Sequence, residues 1–290
     1  MKVLITGRGG QLAWELEQSI PSGMEVVCLS RANLDISQER QVTKAVQEFK
    51  PDVVINAAAY TAVDKAESEI ETAYSVNHDG VKNLAVSCSS IGAFLVHIST
   101  DFVFDGNNSK PYSSEAEVNP QGVYGESKLA GEKAAFVYNP NYTAIIRTSW
   151  VYSTHGNNFV KTMLRLMSER ESLGVVYDQI GSPTYAKSLA SAIWRLLSNK
   201  DSLKNKKTVL HWSDAGVASW YDFAVAIQDL AFDKGLLRKK IPINAIESSQ
   251  YPTPAKRPHY SVLEILPSIK KLECESVHWR KQLSLMLDAL

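Results

Sequence analysis

Over its first 150 residues the chain switches repeatedly between two hydrophobic periods, and this alternation restricts the fold more than any other feature. Short β-rich runs recur at residues 2–6, 25–29, 52–56, 94–99 and 143–147. They are apolar at successive positions, the pattern of strands buried on both faces. Helical stripes lie between them: Leu12, Leu16 and Ile20, then Val42, Val46 and Phe49, then Val81, Leu84, Ala85 and Cys88. Strands that alternate with helices call for a parallel sheet covered on both sides and joined by right-handed crossovers. The expected class is α/β, a doubly wound parallel sheet. After Trp150 the rhythm changes. Helical patterns over residues 157–169, 187–197 and 219–230 mix with short strands at 174–177 and 208–212. Pro242, Pro252, Pro254, Pro258 and Pro267 mark extended or turning chain before a last helix near residues 275–290. This smaller α/β region carries no low-complexity linker, so it is expected to be built against the first.

Composition acts by exclusion. Lys+Arg and Asp+Glu both number 31, a formal net charge of zero, so no global field exists to hold nucleic acid or an anionic membrane. Cys28, Cys88 and Cys274 form no CxxC pair and no disulfide framework, which points to a reducing, cytoplasmic compartment. Val3-Leu4-Ile5, broken by Gly7, is too short for a signal-peptide core, and no apolar stretch approaches membrane-spanning length.

A phosphate site must therefore be local, and one candidate is present. Gly7-Arg8-Gly9-Gly10-Gln11-Leu12-Ala13 follows the first strand and opens the first helix. Gly7 and Gly10 suit a tight strand-to-helix turn, and small Ala13 stands where a third glycine would allow close helix–strand packing. Such a loop lets backbone N–H groups and a helix N-terminus approach a pyrophosphate. The second strand ends in Ser30-Arg31 with no carboxylate to bind a ribose 2′-hydroxyl. Ser30 and Arg31 can accommodate a 2′-phosphate instead, so NADPH is the expected cofactor, with NADH possible. Asp35, followed by Ile36, either accepts hydrogen bonds from the adenine edge or caps the next helix. Ala57, Ala58 and Ala59, at the end of the third strand, let a cofactor lie against the backbone.

Tyr124 and Lys128 stand at i and i+4, on one face of a helix. Among 12 tyrosines this is the one with a lysine four residues on. A nearby ammonium favours the phenolate, which makes the phenol a better proton donor to a developing alkoxide. Thr100 ends the fourth strand at the carboxyl edge of the sheet, where ligands of doubly wound folds bind; its hydroxyl can hydrogen-bond a substrate carbonyl. His97, inside that strand, reads as a core histidine.

The blocks GRGGQLAWEL, NAAAYTAVDKAE, STDFVFDG, NPQGVYGESKLAGE, RTSWVY, GNNFVKTMLRL, DQIGSPTYA and YPTPAKRP follow one another in order. Together they resemble the dTDP-4-dehydrorhamnose reductases, extended short-chain dehydrogenase/reductases, from the N-terminus to at least Pro258. The resemblance implies a Rossmann domain (residues 1–148 and 207–235) and a sugar-nucleotide domain (149–206 and 236–290). It implies an oxidoreductase of dTDP-rhamnose and polysaccharide biosynthesis that reduces the C4 keto group of a dTDP-sugar. Tyr124 would donate the proton and Lys128 would hold the nicotinamide ribose. Thr100 and Asp101 would contact the sugar. Gly10, Gln11 and Leu12 would contact the pyrophosphate, and Ala59, Tyr60 and Thr61 would line the cofactor. Trp150 would stack on the sugar or close the site, its plainer alternative being a core tryptophan. Asn157, Asn158 and Arg257 would serve the nucleotide, Arg257 through its bidentate fork. Phe102 stands where many members have tyrosine. Lys187 lies where an acidic residue would help a metal, so none is expected. A homodimer is possible. Two other readings stay open: another 4-keto-6-deoxy sugar-nucleotide reductase or epimerase, and a non-catalytic regulatory subunit of the methionine adenosyltransferase type.

Overall fold

A computed structural model describes residues 1–290, the side chain of Ser202 aside. The first half forms as the periodicity predicts. Strands β1 (Lys2–Thr6), β2 (Glu25–Leu29), β3 (Val53–Asn56), β4 (Phe94–Thr100) and β5 (Thr143–Thr148) alternate with helices α1 (Gln11–Gln18), α2 (Glu39–Phe49), α3 (Val63–Ala66), α4 (Ile70–Tyr74), α5 (Gly80–Ile91) and α6 (Val123–Tyr138). A π-helical turn, Ser75–Asp79, joins α4 to α5. In the second half come β6 (Val151–Tyr152), α7 (Phe159–Glu169), β7 (Leu173–Val176), β8 (Ile180–Gly181), β9 (Thr184–Tyr185), α8 (Ala186–Ser198), β10 (Thr208–Trp212), β11 (Ala218–Ser219), α9 (Trp220–Asp233), β12 (Ile243–Ile246), α10 (Leu266–Leu272) and α11 (Trp279–Asp288). The main sheet has six parallel strands in the order β10-β5-β4-β3-β1-β2. Chain order reverses around β1 and β3, so the loops leaving them diverge and open a crevice at the carboxyl edge.

Both faces of the sheet are packed. On one, Leu12 and Leu16 of α1 meet Leu189, Ile193 and Trp194 of α8 over Val3, Ile5, Val96 and Leu210. On the other, Val42 and Val46 of α2 and Val81 and Leu84 of α5 cover Leu4, Val54 and Leu95. A separate core gathers Tyr152, Val160 and Met163 with Phe223, Ile227, Trp279 and Leu283. These cores divide the chain differently from the expected domain boundaries. Helix α8, within residues 149–206, lies on the main sheet with α1. Helix α9, within 207–235, packs with α7 and α11 in the separate core. Leu272 of α10 returns to the main sheet. A helical stripe shows that a buried face exists but not which core receives it.

The ends of β4 and β5 are tied together by buried charge. Arg147 of β5 donates to both carboxylate oxygens of Glu132 on α6, at 2.9 and 2.8 Å. The Ser99 hydroxyl of β4 donates to the same carboxylate. Removing one member of such a pair typically costs about 3–5 kcal/mol, because the other charge is left buried and alone.

Candidate active site

A cavity of about 740 Å³ opens at the carboxyl edge of the sheet, lined by Gly7–Leu12, Ala57–Val63, Ile98–Phe102, Thr148–Val151, Tyr124 and Lys128 among others. That is the size range of a site for a cofactor or a small ligand. Its floor is the glycine loop. Gly7 has φ +83°, a backbone that favours glycine, and a Cβ there would fall 2.7 Å from the amide N of Ala58. The loop after β1 can lie this close to the loop after β3 only without a side chain. Gly10 caps α1 and has no side chain to satisfy the helix, so no side-chain cap hydrogen bond is made there; nor is there an acidic residue in the first turn. The free N–H groups of α1 point a partial positive charge into the cavity, and a cofactor pyrophosphate fits this cradle.

Of the predicted adenine-side residues, Arg31, Asp35 and Ile36 line the cavity. Asp35 accepts hydrogen bonds from the backbone N and hydroxyl of Ser37, at 3.0 and 2.7 Å. Desolvation raises its carboxyl, but these bonds and the Arg31 guanidinium together hold it below the usual range. The bonds to Ser37 close a turn before α2 and do not cap it: the N-cap is Gln38, and no side-chain cap hydrogen bond is made there. Ser30 is not a lining residue; its hydroxyl donates to Asn33 Oδ1 at 2.7 Å within the loop. Exposed Arg31 lines the cavity and is paired only loosely with Asp35, at 3.4 Å.

Tyr124 and Lys128 sit on the first turns of α6, whose N-terminus is capped from afar. Gly122 offers no side chain, and Glu67, just past α3, accepts the Val123 N–H at 2.9 Å. A carboxylate there also suits the helix dipole. The fully buried Asn77, on the π-helical turn, ties three parts together. Its amide accepts from Tyr60 N (2.9 Å) and donates to Tyr60 O and to Ser127 Oγ (3.1 Å each). Ser127 lies between Tyr124 and Lys128 and donates to the Tyr124 carbonyl at 2.9 Å. Asn77 escaped the sequence reading because it looked like the first turn of an ordinary helix.

Lys128 is buried, and its Nζ donates to the Ile98 carbonyl at 2.6 Å. Burial pulls its ammonium down to about 8, partly offset by the charge of Glu132. Burial pushes the Tyr124 phenol up to about 12; the Thr100 side chain opposes the rise and the Asp101 charge adds to it. This departs from the expected picture of an ammonium lowering the phenol. The lysine bonds to a strand carbonyl, and the phenol keeps its proton at neutral pH. Thr100 donates to Asp101 Oδ1 at 3.1 Å, and Asp101 Oδ2 is buried without a partner. Burial lifts the Asp101 carboxyl to about 6. His97 points away, with Nδ1 at 3.1 Å from Asn56 Nδ2, and burial holds it neutral.

Three residues expected on the substrate side divide. Trp150 lines the cavity, stacked on Trp220. Asn158 and Arg257 do not line it. Asn158 caps α7 by accepting the Lys161 N–H at 3.1 Å, and it donates to Gln11 Oε1 at 3.0 Å, so it serves the glycine loop. Arg257 spends its fork on Asp64, at 3.0 and 2.8 Å. A guanidinium fork fits a carboxylate as well as a diphosphate, and here a carboxylate has taken it. Among the described residues no group of three or more metal-ligating side chains forms.

With this geometry in hand, comparison with known proteins is direct. The family described as RmlD substrate binding domain matches residues 1–290. A dTDP-4-dehydrorhamnose reductase of Aggregatibacter actinomycetemcomitans is 41% identical over 97% of both chains. The crystal structure of a dTDP-4-dehydrorhamnose reductase from Clostridium acetobutylicum ATCC 824 superposes with a TM-score of 0.92 at 40% identity, over 100% of this chain and 99% of the other. A dTDP-4-dehydrorhamnose reductase from Bacillus anthracis str. Ames, solved in complex with NADP, superposes with a TM-score of 0.91 at 36% identity, over 100% and 99%.

Proposed function

The chain belongs to the dTDP-4-dehydrorhamnose reductase family, and from that premise we propose that it reduces the C4 keto group of dTDP-4-dehydro-β-L-rhamnose with NADPH to give dTDP-β-L-rhamnose. The observation that carries this reading is the convergence of Tyr124, Lys128 and Thr100 on one cavity with the uncapped N-terminus of α1. A binding subunit without chemistry has no need of that convergence.

The bound cofactor supplies the hydride that C4 accepts. The chain supplies the rest. The free N–H groups at Gln11 and Leu12 hold the pyrophosphate beside Gly10, whose own N–H is spent on the Gly7 carbonyl at 3.0 Å, and Arg31 faces the 2′-phosphate. Gly7, Ala57 and Ala58 let the cofactor lie on bare backbone. Lys128, with donors left over after Ile98, holds the nicotinamide ribose. Thr100 aligns the sugar C4 oxygen. Tyr124 carries its proton at neutral pH and gives it to that oxygen as the alkoxide forms; solvent restores it afterwards. Asp101, buried beside Thr100, contacts the sugar.

The test is incubation of the purified chain with dTDP-4-dehydrorhamnose and NADPH, followed by NMR of the sugar. Stoichiometric cofactor oxidation with the L-rhamno configuration at C4 is the expected result. No turnover by the chain alone, or the opposite C4 configuration, would overturn it.

A further inference from the structure

Trp150 is held in an unusual way. Its φ is +47°, in the left-handed region that a bulky side chain seldom adopts. Such a conformation persists only where surrounding contacts fix it, and three segments of the second region do so. The Trp150 carbonyl accepts from Thr184 N at 3.1 Å, which anchors the start of β6 on β9. At Gly181 of β8 a Cβ would stand 2.6 Å from the Trp150 ring, so the ring occupies space that only glycine leaves. Against the indole lies Trp220, with ring centroids 3.5 Å apart and planes within 4°.

Trp220 is itself firmly placed. It is the first residue of α9, directly after Ser219, whose side chain forms a capping box with Asp222. Ser219 pairs with Ile180 across β11 and β8, next to Gly181. Phe159 of α7 packs on Trp220 at 4.6 Å. Trp220 does not line the cavity, whereas Trp150 does. The stack therefore runs from the second core to the wall of the site.

We propose that Trp220 is a positioning residue for substrate: by stacking on Trp150 it fixes that indole against the cavity and so sets the affinity for the sugar nucleotide. The proposal rests on the reading of Trp150 as a sugar-facing residue. The sequence alone does not reveal the pair, because the two residues are 70 positions apart.

The experiment compares Trp150→Ala, Trp220→Ala, Trp220→Phe and the double alanine variant in steady-state kinetics, with NADPH affinity measured separately and near-ultraviolet circular dichroism as a probe of the stacked indoles. A stacked aromatic pair is worth enough to change affinity about 3- to 10-fold. Trp220→Ala is expected to raise KM for the sugar nucleotide by that factor, with kcat and NADPH affinity within about twofold. Trp220→Phe should restore most of the loss, and the double variant should be no worse than Trp150→Ala, since the two act as a unit. The dichroism of the indole pair should vanish in every variant lacking one partner. If Trp150→Ala raises KM while Trp220→Ala does not, the proposal is overturned and the role of Trp150 stands. If neither raises KM, both fall. Should Trp220→Ala fail to fold, Trp220→Leu takes its place under the same criteria.

Discussion

Tyr124 and Lys128 depart from their ordinary ionisation in opposite directions, and each departure has a kinetic consequence. The phenol, pushed up to about 12, is a proton donor throughout the neutral range. Tyr124→Phe removes one oxygen and almost no volume, so kcat should fall by about 10²–10⁴ with NADPH affinity nearly unchanged. Steady-state kinetics and cofactor titration check both halves; a kcat near wild type would remove Tyr124 as the acid. The ammonium of Lys128, brought down to about 8, is lost as pH rises through that value. If its charge holds the ribose, kcat/KM should decline above about pH 8, and Lys128→Arg, which cannot lose its charge, should abolish that limb. A pH profile of the free enzyme decides. These two residues were legible because a spacing of four on one helix is itself a geometric statement. Arg257 was not legible. Its partner Asp64 is 193 residues away in sequence, and nothing local distinguishes a fork that waits for a diphosphate from one already occupied.

At the scale of elements, the glycine loop and α1 are gripped by the segment 153–158 of the second region. Ser153 Oγ donates to buried Glu15 at 2.7 Å, His155 Nε2 lies 3.0 Å from the Gly9 carbonyl, and the His155 ring stacks on Trp14. With Asn158 on Gln11, these contacts clamp the cofactor end of the site from behind. Asn158→Ala loses one hydrogen bond to Gln11, worth about 1 kcal/mol. It should weaken NADPH about fivefold while leaving KM for the sugar nucleotide near wild type; the reverse pattern would return Asn158 to the sugar side. Central strands of the first half such as β1 and β3 could be located from sequence because burial on both faces leaves an apolar run, and the half-buried edge strand β2 keeps enough of that run to show. Helix α10 could not. Its seven residues carry Pro267 at the start, and in a proline-rich stretch that signal reads as extended chain. Strand β12 alternates Ile243-Asn244-Ala245-Ile246 at the edge of a two-stranded sheet with β7, too short and too exposed to stand out.

Over the whole molecule, the path of the chain matters more than any domain boundary. Leaving the main sheet at β5, it enters the second core with β6 and α7, comes back with α8 and β10, leaves again with α9, and touches the sheet once more through Leu272 before ending in α11. The prediction is a single unfolding transition: denaturant curves followed by far-ultraviolet dichroism and by tryptophan fluorescence should coincide. Separate midpoints would show two independent units. The same path limits how such a chain can be divided. A protein ended after β5 would expose Leu12, Leu16 and Ile146 where Ile193, Trp194 and Leu210 now cover them, a bare apolar face that invites aggregation. Nicking the exposed residues 205–207 would yield two fragments, each carrying part of both cores. They should stay associated and active until denatured, and neither should be recoverable in soluble form without the other. For a molecule threaded in this way, complementation between fragments is feasible, whereas exchange of one half for that of a relative would require every interlocking contact to be exchanged at once.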